Sequence, residues 1–172
     1  EDQKNMFADN LERLDDYDVI IVDAGAGISN NVLSFIAASS EVLIVTTPEP
    51  HAIADAYGII KVIASRSLNI KVKLIVNMVQ NIDQGKKVYQ KISDVCIRFL
   101  GLKIDNLGYV FSDECLKRSI SQQKPLLLSY PDSRAAHCVE HIVLRLEKLD
   151  YLIAQDKGMK IFLKKLFSFF VE

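Results

Sequence analysis

The sequence predicts an α/β fold in which a parallel sheet is flanked by helices and followed by an amphipathic C-terminal helix. Three observations carry this expectation. Short apolar runs alternate with longer segments of helical periodicity, the traffic of βαβ units. The run Val19–Val22 is β-branched and uninterrupted between Asp18 and Asp23, as in a strand buried on both faces of a parallel sheet. Polar residues follow the apolar runs directly, and open α/β sheets bind ligands beyond the carboxyl ends of their strands.

Residues 3–15 have helical spacing through Met6, Phe7, Leu11 and Leu14. Asp18 to Asp23 then reads as a strand, and Asn30 to Ala38 as a short helix with Ser29 or Asn30 placed to cap it. Val42 to Val45 is a strand ending in Thr46-Thr47-Pro48, and His51 to Arg66 is a helix with Ile53, Ala56, Tyr57, Ile60 and Ile63 on one face. Val72 to Val76 is a strand ending at Asn77, and Gln84 to Leu100 is a helix with Val88, Ile92, Val95 and Phe99 inward. Leu107 to Val110 is a strand followed by Phe111-Ser112-Asp113. Cys115 to Gln122 is helical, and Lys124-Pro125 ends it. Tyr130-Pro131-Asp132-Ser133 opens a long helix to about Gln155, with Asp132 or Ser133 as its cap. An Asp156-Lys157-Gly158 break precedes Met159 to Val171. The expected organisation is one domain over 1–156 and an appended helix over 157–172.

The chain has 172 residues and a formal net charge of -1, so no global field draws it to nucleic acid. Cys96, Cys115 and Cys138 form no C-x-x-C pair, which disfavours a disulfide framework or a zinc site and fits a reducing cytosol. They are expected to be small hydrophobic fillers. No secretory signal and no bilayer-length apolar run is visible, and the first residue is Glu1 rather than Met. His51, His137 and His141 make no metal pattern.

The polar residues after the strands are the candidate site. Asp23 ends an all-apolar run, where a carboxylate is costly to desolvate unless satisfied. A magnesium ion or its water would satisfy it, and so would a tight turn of its own backbone. Ala24-Gly25-Ala26-Gly27 follows, and its two glycines, Gly25 and Gly27, let backbone N–H groups approach an anion. Asn77 carries both donor and acceptor, which suits a base edge as well as a turn. Met78 and Gln80 stand where a guanine-selective Asn-Lys-x-Asp pattern would place Lys and Asp, so guanine selectivity has no support. Asp23 could instead be a phospho-acceptor in a receiver-like domain, but no strand here ends in the Lys that such a site wants.

The blocks Tyr17-Asp18-Val19-Ile20-Ile21-Val22-Asp23-Ala24-Gly25-Ala26-Gly27-Ile28, Thr46-Thr47-Pro48-Glu49-Pro50, Ala54-Asp55-Ala56-Tyr57, Val76-Asn77, Gly108-Tyr109-Val110-Phe111-Ser112-Asp113 and Tyr130-Pro131-Asp132-Ser133-Arg134-Ala135-Ala136 occur in this order. Their order and spacing, from about Tyr17 to Leu149, resemble MinD/ParA-type ATPases of the P-loop NTPase fold. Phe111 stands where the family's Gly-x-x-P-x-D block has Pro. The Asp-Ala-Gly-Ala-Gly-Ile form is similar to the branch that regulates flagellar number. The resemblance implies ATP and Mg2+ as cofactors, with Asp23 in the magnesium shell and the Gly27 N–H on the γ-phosphate. It implies adenine recognition by Asn77, with Phe111 and Asp113 beside the base. Asp55 matches a position that faces the dimer or a partner; an ordinary solvated helix residue is the alternative. The implied partners are a second copy of the chain with ATP, an FlhF-type GTPase and flagellar switch proteins, with no specific nucleic acid. A partitioning ATPase of the same family is the near alternative, and an interaction domain without catalysis the more distant one. The family's phosphate loop, with its lysines and glycines, has no counterpart in these 172 residues. The chain by itself is therefore expected to be inactive.

The last segment places Met159, Phe162, Leu163, Leu166, Phe167 and Phe170 on one helical face, opposite Lys157, Lys160, Lys164 and Ser168. A basic face opposite a broad apolar stripe suits an interfacial helix on an anionic membrane. A helix docked on the domain or on a dimer mate is the alternative. With the family resemblance, this segment implies a cytoplasmic protein held peripherally at the inner face of the cell membrane.

Overall fold

The computed structural model describes residues 17–25, 27–66, 68, 70–150, 162 and 166, the side chains of 147–150 excepted. The chain divides into two compact units, residues 1–42 with 154–172 and residues 43–153. The expected helix over residues 3–15 lies outside the described residues.

In the first unit, α1 spans Asn30–Ala38 as expected. The Ser29 hydroxyl accepts from the Val32 N–H at 3.4 Å and supplies the cap. Leu33, Ile36 and Ala38 are buried. The expected strand Asp18–Asp23 is the main correction. Residues 17–25 adopt no regular secondary structure, and Val19 and Ile21 are 70% and 82% exposed. A parallel strand lives on its neighbours' ladder bonds and on cover over both faces, and no described strand pairs with this run. Apolar patterning alone does not hold it extended in a sheet.

The sheet is three-stranded and parallel, in the order β1-β2-β3. Its strands are β1 (Glu41–Thr46), β2 (Lys71–Val79) and β3 (Asp105–Phe111). Between and after them come α2 (Pro50–Ser65), α3 (Ile82–Leu100), α4 (Glu114–Ser121), the single turn α5 (Leu126–Ser129) and α6 (Arg134–Asp150). β2 is the central strand, and Val72 to Val76 are all buried, the two-sided burial a parallel sheet demands. Among the described strands β1 is an edge, with Leu43 39% and Val45 59% exposed.

Two irregularities shape the carboxyl end of the sheet. β2 does not stop at Val76 as expected but runs to Val79, with a register shift between Val76 and Val79. Met78 adopts φ 58°, a left-handed conformation that side chains rarely tolerate. The Asn77 Oδ1 accepts the Met78 N–H at 2.8 Å, which holds the irregular step together. A second shift separates Leu74 from Ile75, opposite Asn106 and Gly108. There the Leu107 carbonyl accepts from the Arg145 guanidinium of α6 at 2.9 Å. A Cβ on Gly108 would stand 2.9 Å from Ile142 Cγ1, so α6 lies close over β3.

Helix α3 begins two residues before the expected Gln84. Asn81 is its cap, accepting from the Gln84 N–H at 2.9 Å, while the Gln84 side chain accepts from the Gln80 N–H at 2.8 Å. This near-reciprocal capping is the reason for the earlier start. Its inward stripe is Gly85, Val88, Ile92 and Cys96. Phe99, expected inward, is 66% exposed, because the stripe proceeds through Cys96 to Leu100. Ile75, Leu107, Val110, Ala135 and Ile142 form a core cluster, with Leu116, Leu126, Cys138 and Leu146 packed against it.

All three cysteines carry free thiols, and Cys96 is buried. Burial pushes the Cys96 thiol up to about 11, and the thiolate is the reactive form. At pH 8, Cys96 is expected to alkylate at least tenfold more slowly than Cys115 or Cys138. Peptide mapping after timed iodoacetamide treatment checks this, and equal labelling of the three would show that Cys96 is not held in the core.

Candidate functional site

β2 and β3 bring Asn77, Phe111 and Asp113 to one end of the sheet. Val79 is in register with Phe111, and the Ser112 N–H donates to the Val79 carbonyl at 2.9 Å. Asn77 is half-buried. Its Oδ1 is held by the Met78 N–H, so its Nδ2 is turned away from that bond and remains a donor. The Met78 irregularity therefore orients the one amide expected to touch a base.

Phe111 is half-buried at the last position of β3. The Arg134 guanidinium lies over its ring, 3.4 Å from the centroid. Arg134 is the first residue of α6 and is exposed. No role was expected for it; the Tyr-Pro-Asp-Ser-Arg turn shows where α6 begins but not what its first side chain covers.

Asp113 is a structural clamp. Its Oδ1 accepts from the Cys115 N–H at 2.8 Å and caps α4. Its Oδ2 accepts from the Ala135 N–H at 3.0 Å, at the start of α6. These backbone donors, Ala135 first and Cys115 second, hold the carboxyl below the usual carboxylate range. Both oxygens are thus already occupied by backbone donors. The caps expected at Asp132 or Ser133 resolve to Ser133, whose hydroxyl accepts from the Ala136 N–H at 3.2 Å. A shallow depression beside this end of the sheet is lined by Gln80, Asn81, Asp83, Gln84 and Lys87.

Asp23, Gly25 and Gly27 belong to the first unit. Asp23 is exposed, at the end of the run that forms no strand. Gly27 has φ 102°, a conformation glycine alone adopts without strain. A Cβ at Gly25 or Gly27 would meet nothing within 4 Å, so both backbones are open to approach. Among the described residues no group of three His, Cys, Asp or Glu could cage a metal ion. The donor set fits a magnesium ion that arrives on phosphate oxygens, because such an ion needs only one or two carboxylates from protein.

Asp55 is exposed on α2. Among the C-terminal residues expected to meet a membrane, Phe162 is helical and half-buried, and Leu166 is helical and 1% exposed. Lys160, Leu163, Lys164, Phe167 and Phe170 lie outside the described residues. No described helix is long and apolar enough to cross a membrane.

The antiactivator FleN of Pseudomonas aeruginosa is 29% identical over 153 residues, covering 88% of this chain and 54% of its own. The flagellum site-determining protein YlxH of Helicobacter pylori is 32% identical over 169 residues, covering 96% of this chain and 57% of its own. The septum site-determining protein MinD of Pyrococcus horikoshii, solved with Mg-ADP, superposes with a TM-score of 0.65 at 16% identity, over 89% of this chain and 60% of its own. No protein-family model matches. The chain spans just over half the length of these relatives.

Proposed function

We propose, from the premise that the chain belongs to the MinD/ParA family, that it forms the base-reading and switch-bearing part of an ATP-dependent dimerisation switch that sets flagellar number and placement. The observation that carries this is the convergence of Asn77, Phe111 and the Asp113 clamp at one end of the sheet, in a chain alike over most of its length to FleN and YlxH (FlhG). Bound Mg-ATP would supply the terminal phosphate whose loss resets the switch. The residues of this chain do the rest. Asn77 donates from Nδ2 to the adenine ring, and Phe111 offers its face to the base. Asp113 fixes the backbone around them. Gly27 donates its N–H to the terminal phosphate, and Asp23 holds the magnesium shell. Asp55, solvent-facing on α2, meets the dimer mate. Lys160 and Lys164 sit at anionic headgroups, with Phe162, Leu163, Phe167 and Phe170 as the apolar face of that contact; Leu166, expected on the same face, is buried and packs inward instead. The protein then works in the cytoplasm, peripherally at the inner face of the membrane, with an FlhF-type GTPase and flagellar switch proteins as partners. Phosphate gripping requires lysines and glycines that these 172 residues do not supply, so the chain alone does not turn ATP over.

Sedimentation of the complete gene product with anionic vesicles tests the reading. Pelleting is expected with Mg-ATP and largely absent with Mg-ADP. Phe162→Glu is expected to abolish it, as is Lys160→Glu with Lys164→Glu, which reverses charge without touching the buried Leu166. Equal pelleting with both nucleotides, or pelleting that survives both variants, sinks the membrane switch.

A further inference from the structure

We propose that Arg134 is a built-in competitor for the base: its guanidinium covers the stacking face of Phe111, and a bound purine must displace it. The inference rests on the nucleotide reading above and adds a residue to it. Phe111 is half-buried, so its ring has limited face to offer, and Arg134 lies over that ring at 3.4 Å. Among the described residues the guanidinium has no carboxylate partner. It sits at the start of α6, whose first turn carries no acid. Among the described residues, the Phe111 ring is the contact the guanidinium makes.

Magnitudes decide the competition. An exposed cation–ring contact contributes a factor of about 2–5 in equilibrium. A nucleobase stacked on an aromatic side chain contributes roughly 5–150. The base wins, and the arginine lowers its affinity by the smaller factor. The exchange is a side-chain event. The backbone next to Arg134 is pinned by the Ala135 N–H on Asp113 and by the Ser133 cap, so α6 need not move. The consequence is a tempered base contribution: the arginine weakens only ligands that carry a base and leaves the binding of bare phosphates untouched.

Calorimetric titration of the complete gene product with Mg-ATP, and separately with inorganic triphosphate, tests this. Arg134→Gln is expected to tighten ATP about 2–5-fold and to leave triphosphate affinity within twofold. Phe111→Leu is expected to weaken ATP at least fivefold while triphosphate is unchanged. Thermal melts of each variant check that the fold is kept. Arg134→Gln weakening ATP as Phe111→Leu does would overturn the proposal, because the arginine would then be a ligand contact. ATP affinity insensitive to both variants would overturn it as well. A wild-type protein that binds triphosphate but gains nothing from the base would remove the platform alone. A wild-type protein that binds no ATP would remove the nucleotide reading and this inference together.

Discussion

Changing Asp113 to alanine is expected to lower the unfolding free energy by roughly 2–4 kcal/mol, combining a helix cap of about 1 kcal/mol with a second, charge-assisted bond of about 1.5–3 kcal/mol. Two backbone donors, Cys115 and Ala135, lose their acceptor at once. The damage should appear at the starts of both α4 and α6. Asp113→Asn keeps one acceptor oxygen and should lose about half as much. Urea unfolding gives the total, and amide exchange at Cys115 and Ala135 shows whether both ends loosen together. A loss below about 0.5 kcal/mol, or protection that changes at one helix only, would contradict the clamp. The pH dependence has a definite sign. The folded carboxyl titrates below its ordinary value of 3.8. Its contribution is therefore complete above that value and is lost as pH falls through the lower, folded one. Wild type and Asp113→Ala should converge in stability on the acid side of that window.

The second large effect lies under α3. A Cβ on Gly85 would stand 2.6 Å from Tyr109 Cδ1 and 2.8 Å from its Cγ. Those are atoms near the root of the ring, so the side chain cannot swing its tip away. The tyrosine hydroxyl is also tied to the Asn106 amide. Gly85→Ala recovers about 1 kcal/mol of helix propensity against an overpacking penalty of typically 1–3 kcal/mol, for a small net loss. Gly85→Val adds branches without the propensity gain, and a loss of roughly 2–3 kcal/mol is expected. That corresponds to a fall in Tm of about 5–10 °C for a chain of this size. Tyr109→Leu, introduced with Gly85→Ala, should recover part of the loss. If Gly85→Val melts like the wild type, α3 does not sit as close to β3 as the geometry requires.

The legible parts of the fold were those written locally. The helical stripe Ala56-Ile60-Ile63 and the apolar runs of β1, β2 and β3 were all visible in periodicity, and α1 to α4 fell within two residues of expectation, whereas the single turn α5 was not foreseen. The sequence placed Asp113 beside a base but did not disclose that its oxygens serve two helix starts, because only the fold brings Ala135, 22 residues away, onto it. Met78 could not have been foreseen at φ 58°, because nothing in a methionine advertises left-handed backbone. The Arg134–Phe111 stack is equally non-local. Val19–Val22 failed for the opposite reason. Its composition is that of a central strand, but a strand is a relation between chains of hydrogen bonds, and composition supplies only one side of it.

The edge position of β1 has a consequence for how this chain behaves among its own copies. Along its outer side the strand offers alternating amide donors and carbonyl acceptors, with Leu43 and Val45 uncovered beside them. Such an edge is a template: any extended apolar peptide of matching length can continue the sheet there. Val19–Val22, exposed and without a ladder among the described residues, has the composition of such a peptide. Template and complement on one molecule are the ingredients of head-to-tail polymerisation, in which each copy's loose run is stitched to the next copy's edge.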